Sequence, residues 1–133
     1  HDFADDRWLA LFASTGKPVL CGEFSLPPTY NGTRAFGTYG VRTRDELQEA
    51  HEYRRWVKAA AQNPYCVGLC WFEYRDQDIT GRGPGQGPLP YYGEHYAFGL
   101  TTITDQPKYT LLEPMRRANL MAPLWRLSAS AAP

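Results

Sequence analysis

The chain has 133 residues, a length typical of one domain, and 43% of them are apolar, which is enough for a hydrophobic core. Its 14 basic and 14 acidic residues balance, so charge gives no reason to expect a nucleic acid or an anionic membrane surface as a partner. No apolar run approaches the roughly 18 residues needed to cross a bilayer, and the sequence therefore predicts no membrane-spanning helix.

The first half of the chain predicts a helix, a strand and a second helix. Residues 4–15 have helical spacing and end at Gly16, and the apolar run at 18–24 is typical of a parallel strand buried on both faces. A capping box at 43–46 opens a helix that we expect to end at Gln62. Its inward side is predicted to carry Leu47, Ala50, Arg54, Val57 and Ala61.

The second half predicts a strand at 65–74 and a last helix that starts at 105–107. That helix is expected to present Tyr109, Leu112 and Met115 inward and to end near Asn119. Strands that alternate with helices predict an α/β fold with a parallel sheet. Long segments at 25–42 and 79–96 follow the two strands, at the end where α/β proteins build their sites.

Glu23 is the sharpest candidate for chemistry, because it ends an apolar strand just after a glycine. A carboxylate there is costly to bury unless it is paired. It is interpreted either as a strand-end salt bridge or as a nucleophile or acid/base at the rim of a site.

Trp71 ends the second apolar strand, so it is expected near Glu23. It is interpreted either as a core aromatic or as a platform beneath a sugar ring. The acidic residues just beyond it, Glu73, Asp76 and Asp78, are expected to be solvated loop charges or caps. In the following loop, Arg82, Glu94 and His95 are candidates for hydrogen bonds to a hydroxylated ligand or for fixing the loop itself.

The cysteines and histidines do not suggest a metal centre. Cys66 and Cys70 lie four residues apart in a predicted strand, too far for a disulfide. The three histidines are scattered and no C-x-x-C occurs, so neither a metal nor another cofactor is expected.

Three blocks of sequence carry a resemblance to a known family. KPVLCGEFS (17–25), NPYCVGLCWFEYRDQDITGR (63–82) and YGEHYAFGLTTITDQPKYTLL (92–112) resemble the last part of a (β/α)8-barrel retaining glycoside hydrolase of the β-agarase or β-galactosidase type. The resemblance implies the last βα units of a TIM barrel, strands seven and eight with their flanking helices. We expect this incomplete barrel over residues 1–120, with a tail at 121–133.

The resemblance also implies roles for individual residues. Glu23 matches the catalytic nucleophile of strand seven, and Trp71 matches the strand-eight aromatic under the sugar. Gln77, Arg82 and Glu94 match loop positions near the site, while His95 stands where the family has Asn. A retaining glycosidase needs a second carboxyl group, and the Asn-Glu pair that supplies it in this family is absent from this chain, so we expect the chain to be inactive alone.

The main hypothesis is therefore a fragment of a glycosidase that hydrolyses a neutral, galactose-containing carbohydrate in a secreted or periplasmic setting. The alternative is a non-catalytic carbohydrate-binding or self-assembling module. A third hypothesis is an unrelated α/β sandwich with a local resemblance. Two parallel strands leave unpaired edges, so we expect a homo-oligomer or pairing with the remainder of a barrel.

Overall fold

The computed structural model describes residues 6–26, 28, 43–78 and 96–130. Across these ranges the order of elements is α1 (Asp6–Thr15), β1 (Val19–Phe24), α2 (Glu46–Gln62), β2 (Cys66–Trp71) and α3 (Tyr109–Ser130). The two strands pair in parallel, and α2 makes the crossover between them, which parallel neighbours require. The predicted α/β fold is confirmed. None of the helices in these ranges is both long and apolar enough to cross a membrane.

Helix α2 ends at Gln62 as predicted, but it begins later than the capping box indicated. Its N-cap is Asp45, whose carboxylate accepts a hydrogen bond of 2.8 Å from the Gln48 amide. Thr43 is buried, and its hydroxyl donates to the carbonyl of Leu26 instead. The threonine therefore ties the chain ahead of the helix to the end of the first strand segment.

The predicted inward face of α2 is only partly right. Leu47 is 66% exposed, whereas the buried residues of the helix are Glu49, Ala50, Tyr53, Val57 and Ala60. The orientation follows from Tyr53, whose ring stacks on Phe24 at 5.8 Å and whose hydroxyl donates to Asn119 of α3. Packing of one large ring against the strand thus decides which stripe is buried.

Helix α3 is longer than predicted and continues past Asn119 to Ser130. Two residues beyond Asn119 explain this. Trp125 is buried, and the Arg126 guanidinium donates to the carbonyl oxygens of Asn63 and Cys66. At the other end, Tyr109 is exposed and the inward residues are Leu111, Met115 and Ala118, so the expected inward position of Tyr109 is wrong.

The core lies on one side of the sheet. Side chains of α2 and α3 cluster there with Phe24 and Leu26, and Phe12 of α1 packs beside Ala60 and Cys66. On the other side, Leu20 is 60% exposed. The prediction that both strands are buried on both faces is therefore wrong. We call this second side, defined by Leu20, Gly22, Glu23 and Cys70, the open face.

Candidate functional site

Glu23 lies where the parallel register of the sheet is interrupted. Cys21 pairs with Leu69 and Phe24 pairs with Trp71, so Gly22 and Glu23 together stand opposite Cys70. Two residues against one make a bulge, and bulges redirect side chains, often beside active sites. The bulge helps to bring the Glu23 side chain onto the open face.

The Glu23 carboxylate is exposed, and in the described part of the chain it takes part in no ion pair or hydrogen bond. Its carbonyl oxygen accepts from the Cys21 thiol at 3.5 Å, and burial raises the pKa of that thiol. The strand-end salt bridge, one interpretation of this residue, is not formed among the described residues. The carboxylate is thus available to a ligand at the carboxyl end of the sheet.

Trp71 contacts the core more than the open face. Its ring packs edge-on against Phe24, at 5.1 Å between centroids, and against Tyr53, at 5.5 Å. The indole N–H donates to the carbonyl oxygen of Phe98 at 2.9 Å. Trp71 is half-buried, so these contacts use much of its surface.

Phe72 is an aromatic candidate that the sequence analysis missed. Phe72 lies just past the end of β2, and its amide donates to the carbonyl of Phe24, the residue after Glu23, at 2.9 Å. The register of the two strands therefore brings Phe72 to the same end of the sheet as Glu23. The signal was present in the sequence, but reading it required the register between the strands. The peptide bond after Phe72 is cis.

Gln77 joins the segment after β2 to the segment before α3. Its side-chain oxygen accepts a hydrogen bond from the backbone amide of Tyr96 at 2.9 Å, and its backbone amide donates to the Tyr96 carbonyl at 3.0 Å. Its side-chain nitrogen is buried, with no hydrogen-bond partner in the described part of the chain. The other loop candidates, Arg82, Glu94 and His95, lie outside the described residues.

Asp76 was expected to be a solvated loop charge or a cap, but it forms an ion pair with Lys108, whose side chain is 1% exposed. The two charged atoms are 2.6 Å apart. Gly99 lies against the same segment, and a Cβ there would collide with backbone atoms of Arg75, Asp76 and Thr101. The two stretches of backbone can approach so closely because residue 99 is glycine.

Glu49 is a buried ionisable residue that the sequence analysis did not single out. It is fully buried, and both carboxyl oxygens are without a hydrogen-bond partner. Burial raises the pKa of Glu49 to about 9, with smaller contributions from the negative charges of Glu46 and Asp76, while Lys108 acts in the opposite direction. At neutral pH the group is therefore a protonated acid inside the core.

Two other features bear on ligands. In the ranges that the structure describes, no group of three or more His, Cys, Asp or Glu side chains is arranged to hold a metal ion.

A cleft of about 430 Å³ lies between α2, β2 and α3, with Val67, Gly68, Asn119 and Arg126 in its lining. Glu23 does not line this cleft.

The chain resembles a fragment of a glycoside hydrolase. Within that class the similarity is to β-agarases: it is 34% identical over 107 residues to β-agarase B of Vibrio sp. (strain JT0107), and 29% identical over 109 residues to β-agarase A of the same strain. These matches cover 80% and 82% of this chain and 10% of each relative. The chain thus spans about a tenth of the length of the curated relatives it matches. No family model matches it.

Solved structures show the same relationship. An exo-β-agarase superposes with a TM-score of 0.75 and 27% identity, over 90% of this chain and 15% of the other. The protein PfGH50B gives a TM-score of 0.74 and 30% identity, over 92% and 16%. A β-glucuronidase of Faecalibacterium prausnitzii, at 21% identity and a TM-score of 0.57 over 87% and 18%, shares the fold alone. The predicted resemblance to an agarase-like fragment is confirmed.

Proposed function

We propose that the chain is the part of a retaining glycoside hydrolase that carries the nucleophile, Glu23, for a neutral, galactose-containing carbohydrate. The observation that carries the proposal is the placement of Glu23: exposed, in the bulge at the carboxyl end of β1, and without a charged partner in the described residues. The names of the relatives, β-agarases, support a galactan as the substrate class.

In this proposal β1 and β2 are strands seven and eight of a (β/α)8 barrel. A barrel strand packs one side against its helices and turns the other toward the barrel interior. The covered side and the open face of this sheet fit that division. The exposed apolar side chain of Leu20 would then meet the other strands, and Glu23 would stand at the catalytic end.

The reaction requires a second carboxyl group about 5–5.5 Å from the first. Glu23 attacks the anomeric carbon and forms a glycosyl–enzyme ester, while the second group, as an acid, protonates the departing glycosidic oxygen. That group then removes a proton from the water that hydrolyses the ester. We place the acid/base on a strand outside this chain, so the isolated chain is expected not to turn over aryl galactosides or agaro-oligosaccharides.

Aromatic faces near Glu23 are the proposed contacts for the sugar ring. Trp71 holds this role by resemblance, and Phe72, just past the end of β2, adds a second ring at the same end of the sheet. The proposal assigns Gln77, Arg82, Glu94 and His95 to the surrounding hydrogen-bonding loops. The sugar ring would present its apolar face to an aromatic side chain and its hydroxyl groups to these polar ones.

The role of Glu23 is tested in a hybrid enzyme in which residues 17–118 of this chain replace the matching segment of β-agarase B. Removal of the nucleophile in Glu23→Ala should lower kcat on the order of 10³-fold or more, and added azide should restore turnover by taking the place of the carboxylate. Glu73→Gln, which removes a carboxylate two residues beyond the end of β2, is the control and should keep most of the activity. A Glu23→Ala hybrid as active as its parent would refute the assignment.

A further inference from the structure

Phe98 contacts both aromatic residues at the end of β2. Its carbonyl oxygen accepts the indole N–H of Trp71 at 2.9 Å, and its ring meets the ring of Phe72 edge-on at 5.7 Å. Phe98 is itself buried and packs against Tyr96 at 4.5 Å. The orientation of Trp71 and Phe72 therefore depends on where the backbone at residue 98 is held.

The Lys108–Asp76 ion pair holds the residues on both sides of Phe98. The Lys108 ammonium donates to the carbonyl oxygen of Ala97 at 3.1 Å, and the Asp76 carboxylate accepts from the amide of Gly99 at 2.8 Å. Lys108 is almost wholly buried and Asp76 is 16% exposed. One pair of charges thus fixes the chain immediately before and immediately after residue 98.

Stability alone is a weak explanation for this pair. A buried ion pair often contributes no more to stability than well-packed apolar residues of the same volume. What distinguishes this pair is that it makes directional, charge-assisted hydrogen bonds to two backbone groups, and such bonds fix the position of the backbone more tightly than apolar packing does. The exposed pair of Glu113 and Arg117 on α3 makes no such contacts to backbone within the described ranges.

We propose that Lys108 and Asp76 are positioning residues, which hold Phe98 so that Trp71 and Phe72 keep the orientation in which they receive a carbohydrate ring. The proposal rests on the proposed function for its ligand, a neutral galactose-containing sugar. It does not rest on the identity of the nucleophile, because neither charged residue needs to touch the substrate.

The test uses the 133-residue chain labelled with ¹⁵N and follows the indole N–H signals of its four tryptophans. Trp71→Phe identifies the signal of Trp71. In Lys108→Met and Asp76→Asn, that signal should move upfield and exchange with solvent about tenfold faster, as expected for a weakened hydrogen bond, while the Trp125 signal stays in place. Lys58→Met, which removes an exposed lysine of α2, is the matched control and should leave all four signals unchanged.

Binding of agaro-oligosaccharides, measured by calorimetry on the same proteins, is expected to weaken about tenfold in the two variants. If the Trp71 signal moves but the parent chain binds no sugar, the positioning of the aromatic residues is supported and their assignment as the carbohydrate contact of this chain fails; the role of Glu23 is decided separately by the hybrid enzyme. An unchanged Trp71 signal in folded variants would overturn the positioning role. Equal shifts of all four signals, or unfolding of both variants, would also overturn it, because the pair would then act on overall stability.

Discussion

Glu49 places an ionisable group where a charge is poorly accommodated. The carboxyl group is fully buried on α2. The Lys108 ammonium, whose positive charge favours the ionised form of Glu49, is already bound to the Asp76 carboxylate and the Ala97 carbonyl. Folding therefore requires Glu49 to take up a proton at neutral pH. The unfolded chain has no such requirement, so folding and proton uptake are linked.

This linkage predicts a fall in stability with rising pH. Below the ordinary pKa of 4.5 both states are protonated; between 4.5 and about 9 only the folded state keeps the proton. Across that window the free energy of unfolding should fall by up to about 1.4 kcal/mol per pH unit. Glu49→Gln should remove the slope and be more stable than the parent at pH 8, in urea titrations at several pH values. A parent whose stability is flat from pH 5 to 8 would contradict the prediction.

Single residues differed in how far the sequence could predict them. Glu23 was found because a carboxylate after a glycine at the end of an apolar strand is unusual in its local setting. Asp76 was expected to be solvated or a cap, and its ion pair with Lys108 was not predicted because it joins residues 32 positions apart, and no local pattern indicates which distant charge a carboxylate will meet. Glu49 was missed for the same reason, since the charges that act on it include those of Asp76 and Lys108, which are distant in sequence.

At the scale of elements, the C-terminal ends of α1 and α2 followed from local chemistry, whereas the end of α3 and the buried faces of the helices did not. Gly16 ends α1 with a φ of 59°, as its position predicted, because glycine tolerates that backbone conformation. The buried stripe of α2 and the length of α3 depend on Tyr53, Trp125 and Arg126. These side chains reach other elements, so their effect cannot be read from helical spacing alone.

The start of α2 offers a prediction at this scale. The Gln48 amide, and then the Arg44 side chain, lower the pKa of the Asp45 carboxyl, so the cap contributes most above the ordinary pKa and is lost as the pH falls below it. Asp45→Ala should lower Tm by about 4 °C at pH 7, and the difference from the parent should shrink as the pH falls below the ordinary pKa of 3.8. Asp45→Asn, which keeps a capping oxygen, should lie close to the parent in thermal unfolding followed by circular dichroism. Equal losses in both variants would exclude the cap as the cause.

For the whole molecule, the open face determines what the chain does when it is alone. Exposed Leu20 lies on a sheet whose strands also have unpaired edges in the described part, and such surfaces tend to pair with another chain. We expect the isolated chain to self-associate, with a light-scattering mass that rises with concentration. Leu20→Lys should raise the dissociation constant at least about tenfold, because a charge that loses its water opposes the contact.

The control for that prediction is Leu47→Lys, which adds the same charge at an exposed apolar position of α2, away from the open face. It should associate like the parent. A parent chain that stays monomeric at every concentration would contradict self-association. In that case the surface would be expected to contact the other strands of a barrel and not a second copy of this chain, in line with the resemblance to a fragment of a much longer enzyme.

Cys70, opposite the bulge that carries Glu23, gives the open face a built-in chemical reporter. Its thiol is free and exposed, whereas Cys66 is buried and Cys21 is half-buried, and burial raises the pKa of both of those thiols. A maleimide should therefore modify Cys70 first. Any chain that covers the open face, whether a second copy or the rest of a barrel, would register as protection of this one sulfur atom, and the degree of labelling would measure how much of the face is occupied.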